Sequence, residues 1–428
     1  MRNHSTVQTS KRRATALALT LTLGVFAAAC GDDNDDTASS TAAPASSTAS
    51  TAAPTASSAT PASSAAPTGS STDSSTASSG STSAGATISL KGDCPDNVII
   101  QTDWWPEAEH GATYELIGDG YKVDADKKVV KGPLVAGGKD TGVTVEVRAG
   151  GSAISGSVSA ELVADPNIML GYVNTEGAAT NKDIRLLSVV APLEANPQII
   201  MWDPASFPDV KEIKDLQKHN VPVLVFGKGI IAKWAISQGI MTDGQFDTSF
   251  DGSPDKFVSS DGKIAQQGFA TAEPYKFEHD LPAWNKPVAF QTWYDAGFKS
   301  YSQTLAIIKD DKDKHAACLK KLVPIIQQAQ VDYIGSPDRA NAIILDAVKQ
   351  YNNFWTQSPE LMKFSVEQQL KIGTVSNGPD KTLGNMEESR IQTNLDQLRK
   401  AGIEVPADLK ASDLFTNEFI DPAIGLKS

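Results

Sequence analysis

The chain has 428 residues, of which 51 are aspartate or glutamate and 38 are lysine or arginine, so its formal net charge is −13. This acidic balance argues against nucleic acid and anionic lipid as partners, because both carry negative charge. Hydrophobic residues make up 40% of the chain, which is enough for a folded core.

The first 29 residues predict a targeting segment. Four basic side chains precede an apolar run at 14–29, which is shorter than the roughly 20 residues that a membrane span needs. The sequence Phe-Ala-Ala-Ala-Cys that ends at Cys30 resembles a bacterial lipobox. That resemblance implies cleavage before Cys30 and a lipid on its thiol, whereas a plain secretory signal cut near Ala29 is the alternative. In both cases the mature chain lies outside the cytoplasmic membrane.

Residues 30–86 predict a lipid-anchored, disordered linker. From Thr37 the segment consists almost wholly of Ser, Thr, Ala, Pro and Gly, a composition with nothing to bury. About 50 such residues span roughly 40 Å root-mean-square, enough to hold a domain away from a membrane. Because the signal segment carries four basic and no acidic residues, its removal takes the formal charge from −13 to −17.

The chain has three cysteines. With Cys30 lipidated, Cys94 and Cys318 remain in an oxidising compartment, where an even remainder favours a disulfide. Two separate buried thiols are the alternative.

Residues 87–428 form the folded part, and their length favours two lobes over one core. Apolar runs that read as strands alternate with helical patterns, which predicts an α/β fold. The predicted strands are Asn97–Gln101, Thr141–Arg148, Ile168–Val173, Ile184–Val190, Pro197–Trp202 and Val221–Phe226. A helix is predicted at 227–239, and Tyr121–Ala136 predicts a hairpin inserted before the Thr141 strand.

The last third of the sequence is predicted to be mostly helical. Apolar residues recur at helical spacing over His315–Tyr333, with a kink expected at Pro324. Ser336 and Ser358 each precede a proline, and that pattern indicates an N-cap followed by the first helical turn. A final helix is predicted from Glu387 to a glycine stop at 402.

The stretch from Asp103 to Tyr114 has the composition of a ligand site. It follows a predicted buried strand and precedes a predicted helix, and ligands of open α/β sheets bind at such junctions. It carries two tryptophans, a tyrosine, three carboxylates and a histidine, which suit a small, flat, polar ligand. Adjacent tryptophans on extended backbone point to opposite sides, so at most one of Trp104 and Trp105 is expected to be plain core.

Four stretches together resemble the solute-binding proteins of bacterial ABC importers, the periplasmic binding proteins of type II. The similar branch carries thiamine-pyrimidine precursors, alkanesulfonates and related small molecules. The stretches are Asp-Trp-Trp-Pro-Glu-Ala-Glu-His-Gly from Asp103, Gly-Gly-Ser from Gly150, Gly-Phe-Ala-Thr-Ala-Glu-Pro-Tyr from Gly268, and Leu-Phe-Thr-Asn-Glu-Phe-Ile from Leu414. They occur in the family's order across nearly all of 98–424.

The resemblance implies two α/β lobes that clasp a ligand between them and are joined by two crossings. The crossings are expected near Val189–Leu193 and Gln291–Gly297. Lobe one would hold about 98–188 and 298–428, and lobe two about 194–290. The sequence departs from the family pattern in the longer insertion at 121–136 and in Glu107, where the family often has Asn.

The candidate ligand-binding residues come from the stretches that follow predicted strands in both lobes. They are Asp103, Trp104, Trp105, Glu107, His110, Tyr114, Gly151, Ser152, Asn174, Glu273, Tyr275 and Asp295. Other roles are open for four of them. His110 and Asn174 are also placed to cap helices, Gly151 suits a tight turn, and Asp295 suits the surface.

Carboxylates among aromatic rings suit a ligand with donor groups or positive charge. We therefore expect an aminopyrimidine thiamine precursor or another amine-bearing heterocycle, with a sulfonate, nitrate or riboflavin type of ligand as the alternative. An anion would want arginine, and Arg148 is the one arginine near these motifs. The resemblance further implies an ABC permease in the cytoplasmic membrane as partner. We expect a monomer without cofactor or metal.

Enzyme activity is not expected. The folded part has no phosphate-loop pattern and no Gly-x-Ser-x-Gly elbow, and its histidines lack metal-site spacing. Eukaryotic relatives of the family make a thiamine pyrimidine by consuming their own histidine and pyridoxal phosphate, chemistry that export and a lipid anchor disfavour. A surface receptor or adhesin on the same scaffold is a third alternative.

Overall fold

The computed structural model describes residues 88–427. Residues 1–87 and Ser428 lie outside the described residues, and with them the predictions for the signal segment, lipidation at Cys30 and the linker. Along the described part, no helix has both the length and the apolar character of a membrane span.

Twelve strands follow one another within residues 88–427. The first six are β1 (Asn97–Gln101), β2 (Lys122–Asp124), β3 (Val129–Ala136), β4 (Lys139–Arg148), β5 (Ile168–Val173) and β6 (Leu186–Val190). The rest are β7 (Gln198–Trp202), β8 (Val223–Leu224), β9 (Phe246–Asp247), β10 (Ala265–Phe269), β11 (Ala289–Thr292) and β12 (Thr304–Ile308).

Sheet one has seven strands in the order β2-β3-β4-β1-β5-β12-β6. β4 and β5 run parallel to β1 between them, whereas β12 is antiparallel to both β5 and β6. The strand predicted at Thr141–Arg148 is part of β4, and its alternating Val143, Val145 and Val147 are all buried on one face. The predicted hairpin is β2 paired with β3, and β3 in turn pairs antiparallel with β4, so the insertion widens sheet one. At the opposite side of the sheet, Ser188 of β6 forms a bridge to Phe415 of the C-terminal segment.

Sheet two has five strands in the order β11-β7-β10-β8-β9. β8, β9 and β10 are parallel, and β7 is antiparallel to its neighbours β10 and β11. The apolar run at 221–226 predicted a longer β8. Only Val223 and Leu224 pair, because β9 beside them offers just two residues.

Two chain segments, 191–197 and 293–303, join the sheets. The first runs from the carboxyl end of β6 to β7, and the second runs from the carboxyl end of β11 to β12. The strand directions place both crossings at the same edge of each sheet, the edge where the parallel strands end. The carboxyl edges of the two sheets therefore face each other, which confirms the two-lobed α/β fold with two crossings. We call the part on sheet one, 88–190 and 304–427, lobe one, and 198–292 lobe two.

Ten α-helices lie within residues 88–427. They are α1 (Gly111–Glu115), α2 (Val158–Ala164), α3 (Thr175–Thr180), α4 (Ile230–Ser237), α5 (Asp255–Ser259), α6 (Glu273–Tyr275), α7 (Lys312–Gly335), α8 (Asp338–Tyr351), α9 (Pro359–Lys371) and α10 (Glu388–Lys400). α7 carries Pro324 inside it and packs on α1, and α10 packs on α3 of lobe one and α4 of lobe two.

The predicted cap at Ser336 is wrong, whereas the one at Ser358 is confirmed. The backbone amide of Ser336 donates to the carbonyl of Asp332 at 2.8 Å, so this residue closes α7 rather than opening α8. α8 begins at Asp338, with Pro337 at the cap position and no side-chain cap. At the next helix, the Ser358 hydroxyl accepts from the amide of Leu361, as an N-cap does.

Arg390 of α10 holds the two crossings together. Its guanidinium donates to the carboxylate of Glu194 at 2.6 Å and to the Glu194 carbonyl at 2.7 Å, both in the first crossing. It also donates to the carbonyls of Lys299 at 2.7 Å and Ser300 at 3.1 Å, in the second crossing. The ring of Tyr301 stacks on the guanidinium with 3.7 Å from Cζ to its centroid. One buried side chain thus fixes the spacing of both connections between the lobes.

Cys94 and Cys318 form a disulfide with Cα atoms 4.6 Å apart, the pairing expected from the cysteine count. It ties the segment before β1 to α7, and 224 residues separate the two cysteines in sequence.

Replacing both cysteines with alanine is expected to lower the free energy of unfolding. For a loop of this length the chain-entropy argument gives about 5 kcal/mol, which is an upper figure because native strain subtracts from it. Urea unfolding of residues 86–428 measures the difference, and reduced wild type should behave as the double variant does. Labelling of two free thiols in the native, unreduced protein would refute the pairing.

Arg390→Met is expected to cost about 3–5 kcal/mol of unfolding free energy, because it leaves Glu194 buried without its counter-charge. Arg185→Met is the matched control, since Arg185 pairs with Asp310 on an exposed surface, where ion pairs contribute about 0–1 kcal/mol. Equal losses in the two variants, measured by urea unfolding, would contradict the role of Arg390 at the crossings.

Candidate functional site

A cavity of about 480 Å³ opens at the carboxyl edge of sheet one. Its walls are the end of β5, the loops after β1, β4 and β5, the first turn of α2, and α3 with the residue that follows it. Asp103, Gly151 and Asn174, all predicted site residues, line it. The cavity therefore lies where open α/β sheets bind ligands, and we call it the edge cavity.

Asp103 is held in place by two buried side chains. The Nε2–H of His110 donates to Oδ1 of Asp103 at 2.7 Å, and the Gln303 amide donates to both carboxylate oxygens at 3.2 and 3.3 Å. His110 has no exposed surface and packs edge-on against Tyr172, whereas the Asp103 side chain is 32% exposed. His110 therefore orients Asp103, and Asp103 is the group that presents charge to the cavity.

The two tryptophans differ in burial. Trp105 is 4% exposed and packs against Tyr351 and Phe354. Trp104 is half-buried, edge-on to Trp355 at 5.9 Å. Trp105 thus belongs to the core of lobe one, while Trp104 packs on the margin of that core and stays partly exposed.

The glycines after β4 make room for the β1 loop. Gly151 has φ +61°, and a Cβ there would lie 2.8 Å from the ring of Trp104. Ser152 is exposed in a single 3₁₀ turn, Gly151–Ala153, and the next α-helix begins only at Val158. The Gly-Gly-Ser stretch therefore forms a turn against Trp104, as the tight-turn role of Gly151 implies.

Four carboxylates, Asp103, Glu107, Glu109 and Glu273, interact electrostatically near the contact between the lobes. We call them the carboxylate cluster. Burial raises the pKa of Glu107 well above its usual value, and the charges of Glu109 and Asp103 raise it further. Burial also raises the pKa of Glu109, while a hydrogen bond from Thr271 opposes that rise.

Thr271 of lobe two is the residue that joins the lobes at this point. Its hydroxyl donates to the Glu109 carboxylate, and its carbonyl accepts from Ser365 of α9 at 2.7 Å. The carboxyl end of β10 therefore touches lobe one beside the carboxylate cluster.

Glu273 and Tyr275 also lie on the lobe-two side of this contact. The Glu273 carboxylate accepts from the amide of Phe269 at 2.6 Å, so it caps its own turn. The Tyr275 ring packs against Phe364 of lobe one, with centroids 5.3 Å apart. Lys276 follows them and places its ammonium 4.8 Å from the centre of the Trp355 ring.

The remaining predicted site residues have local partners. Asn174 lines the edge cavity and also caps α3, where its Oδ1 accepts from Gly177 at 2.6 Å. Asp295 is exposed and accepts from the Thr292 hydroxyl at 2.7 Å. Tyr114 has no exposed surface and belongs to the core of lobe one rather than to the cavity wall.

Sequence reasoning did not single out Gln303, Thr271 or Glu109. Gln303 lies 200 residues from Asp103 and Thr271 lies 162 residues from Glu109, so no local spacing connects these pairs. The family resemblance covers Glu109, which lies in the Asp103 stretch, and Thr271, which precedes the Glu-Pro-Tyr element, whereas it offers no signal for Gln303.

The described part of the chain holds no group of three or more His, Cys, Asp or Glu side chains arranged for a metal ion. Arg148, the arginine near the predicted motifs, donates to Glu146 at 2.8 Å and to Asp165 at 2.7 Å. Its charge is therefore already balanced by two carboxylates.

Glu176 makes the stability of the folded chain depend on pH. It is buried in the first turn of α3, and burial raises its pKa from 4.5 to about 7. The unfolded chain loses this proton near pH 4.5, so the folded state loses stability as the pH rises from there to about 7. The whole loss is about 3 kcal/mol.

Glu176→Gln is therefore expected to exceed wild type in unfolding free energy at pH 8 and to match it near pH 4.5. Urea unfolding at the two pH values measures this. Glu161→Gln, in the first turn of α2, is the control and should show no such difference. An equal advantage of Glu176→Gln at both pH values would contradict the titration.

No family model matches the chain, and no curated protein sequence matches it. Solved structures do match. The periplasmic aliphatic sulphonate-binding protein of Escherichia coli is 10% identical, with 78% of this chain and 95% of that one covered and a TM-score of 0.47. The periplasmic nitrate-binding protein of Synechocystis is 12% identical, with 76% and 87% covered and a TM-score of 0.45.

A third match is the ligand-binding component of an ABC-type import system from Staphylococcus aureus, solved with zinc bound. It is 10% identical, with 75% of this chain and 97% of that one covered and a TM-score of 0.46. The two-lobed fold follows from the strand order and the two crossings of this chain.

Proposed function

We propose that the chain is the extracytoplasmic, lipid-anchored solute-binding component of an ABC importer. Its ligand is a small polar molecule that carries an amine or positive charge, in the class of aminopyrimidine thiamine precursors. The proposal combines the resemblance of the four sequence stretches with the edge cavity and the carboxylate cluster beside it. It assigns no catalytic residue.

The main support for the proposal is that the carboxyl group of Glu107 is buried without a partner among the described residues. This residue is 8% exposed, and within residues 88–427 its carboxyl group has neither a hydrogen bond nor an ion pair. Three other carboxylates surround it, and the ammonium of Lys276 is the one nearby charge that lowers its pKa. A buried carboxyl group without a partner is costly, and a ligand amine supplies the missing donor and charge.

An anionic ligand fits less well. Sulfonate or nitrate needs cationic donors, and Arg148 is already paired with Glu146 and Asp165. The carboxylate cluster would also repel such a ligand, by several kcal/mol for close like charges. A sulfonate or nitrate ligand is therefore less favoured by the charges at this site than an amine.

A ligand bound at the contact between the lobes affects how closely the two lobes approach each other. Thr271 already bonds to Glu109, so lobe two reaches lobe one beside the carboxylate cluster. Ionised carboxylates at this contact repel one another, and a cation among them removes that repulsion. A ligand that relieves repulsion across the contact stabilises the closed arrangement, as a permease partner needs in order to recognise loaded protein.

Thermal-shift screening of residues 86–428 tests the proposal, with an aminopyrimidine thiamine precursor, an aliphatic amine, riboflavin, ethanesulfonate and nitrate as probes. A probe at 100 times its dissociation constant stabilises by about 2.7 kcal/mol, which a melting curve resolves. We expect stabilisation by the aminopyrimidine. Stabilisation by ethanesulfonate or nitrate alone would overturn the ligand class.

Glu107→Gln is expected to weaken aminopyrimidine binding by about 2 kcal/mol, since it removes a charge-assisted hydrogen bond. Asp103→Asn should act in the same direction. Glu388→Gln, an exposed carboxylate in the first turn of α10, is the control and should bind as wild type does. Titration calorimetry measures all three variants, and wild-type affinity in Glu107→Gln would remove the basis of the proposal.

A further inference from the structure

Two aromatic side chains of lobe two, Phe226 and Phe250, form an exposed pair outside the site described so far. Their ring centroids are 4.7 Å apart, and Phe226 is 55% exposed. The loop at Gly252 packs against them, since a Cβ there would lie 3.6 Å from the Phe226 ring. Phe250 is half-buried, and its ring meets that of Phe226 at an angle of 47°. Single exposed apolar side chains are common, whereas a contiguous apolar patch indicates a surface that something covers.

The pair lies on the edge of sheet two that faces lobe one. Phe226 follows β8, and its amide donates to the side chain of Gln267 on β10 at 2.8 Å. Phe250 follows β9, which is parallel to β8. The carboxyl ends of β8, β9 and β10 therefore share one edge, and Thr271 at the end of β10 is bonded to Glu109 of lobe one.

The edge cavity of lobe one lacks a second wall. Every residue that lines it belongs to lobe one: to the end of β5, to the loops after β1, β4 and β5, or to α2 and α3 and the residue after α3. Its apolar part is formed by Ile154, Val158 and Tyr172. Both crossings join β6 and β12 to β7 and β11, and strands farther from them are β1 and β4 on one sheet and β8 and β9 on the other. The bond from Thr271, after β10, to Glu109, after β1, shows that strand ends away from the crossings also approach each other.

We propose that Phe226 and Phe250 are the lobe-two wall of the ligand site and select ligands with a flat ring. The ring of the ligand stacks on this pair while its charged end reaches Asp103 and Glu107 in lobe one. Aromatic rings gain from stacked and edge-on contacts beyond the burial of area alone. The inference rests on the proposed solute-binding function and adds the ring as the feature that lobe two recognises.

A permease subunit is the other occupant to consider for an exposed aromatic pair. The position of the pair favours the solute, because it lies on the inner edge that turns toward lobe one and not on the helical outer faces. The two occupants also differ in effect, since loss of a permease contact leaves solute affinity unchanged.

The test uses matched probes with and without a ring, namely an aminopyrimidine against an aliphatic amine, and benzenesulfonate against ethanesulfonate. Titration calorimetry is carried out on wild-type residues 86–428 and on Phe226→Ser, Phe250→Ser and Phe226→Tyr. We expect each serine variant to weaken binding of the ring-bearing probe about tenfold, to leave the ring-free probe unchanged, and Phe226→Tyr to keep wild-type affinity.

Leu370→Ser on α9 is the control, because Leu370 is a similarly exposed apolar residue on an outer helix. Binding of benzenesulfonate but neither amine would overturn the proposed ligand charge, and the serine variants would still decide the aromatic wall. Equal affinity for ring-bearing and ring-free probes, or serine variants that bind as wild type but lose transport in cells, would overturn the inference. Failure of all four probes would overturn both proposals.

Discussion

The contact between Arg390 and the two crossings is the constraint on which the two-lobed arrangement depends. Lobe two is one continuous segment of chain, so 191–197 and 293–303 carry every chain connection between the lobes. A buried guanidinium is tolerated because its donors meet a carboxylate and three carbonyl groups, and these acceptors belong to both crossings. Burial raises the pKa of Glu194 and Arg390 opposes that rise, so each charge makes the other tolerable. The facing of the two carboxyl edges follows from this geometry.

With the crossings fixed, the chemistry between the lobes is dominated by like charges. Asp103, Glu107, Glu109 and Glu273 come from two different stretches of sequence, and burial raises the pKa of both Glu107 and Glu109. Bringing lobe two toward lobe one therefore either protonates a carboxyl group or needs a cation. In the proposed function the solute supplies that cation, so binding of a positively charged ligand and closure of the lobes are coupled.

The sequence predicted those strands whose burial pattern is visible in the order of apolar residues. Alternating valines defined β4, and a continuous apolar run defined all of β5, because burial on one or both faces sets these patterns. The run at 221–226 predicted too long a strand, since the pairing partner rather than the apolar residues sets the length of β8. At the candidate site, Asp103 and Glu107 could be predicted from local sequence because they share one stretch. Gln303, Thr271 and Arg390 act through contacts with residues more than 150 positions away, which depend on the folded arrangement alone.

The inserted hairpin β2–β3 has a consequence for how copies of this chain meet. Without it, the ten-residue β4 would end sheet one as a long strand with unpaired amides and carbonyls, the template on which chains join into aggregates. With it, the outermost strand is β2, which has three residues, and the opposite side at β6 is covered by the segment around Phe415. Neither edge of sheet one therefore presents a long unpaired strand. At high protein concentration, copies of the chain lack an edge strand there with which to continue the sheet from one molecule to the next.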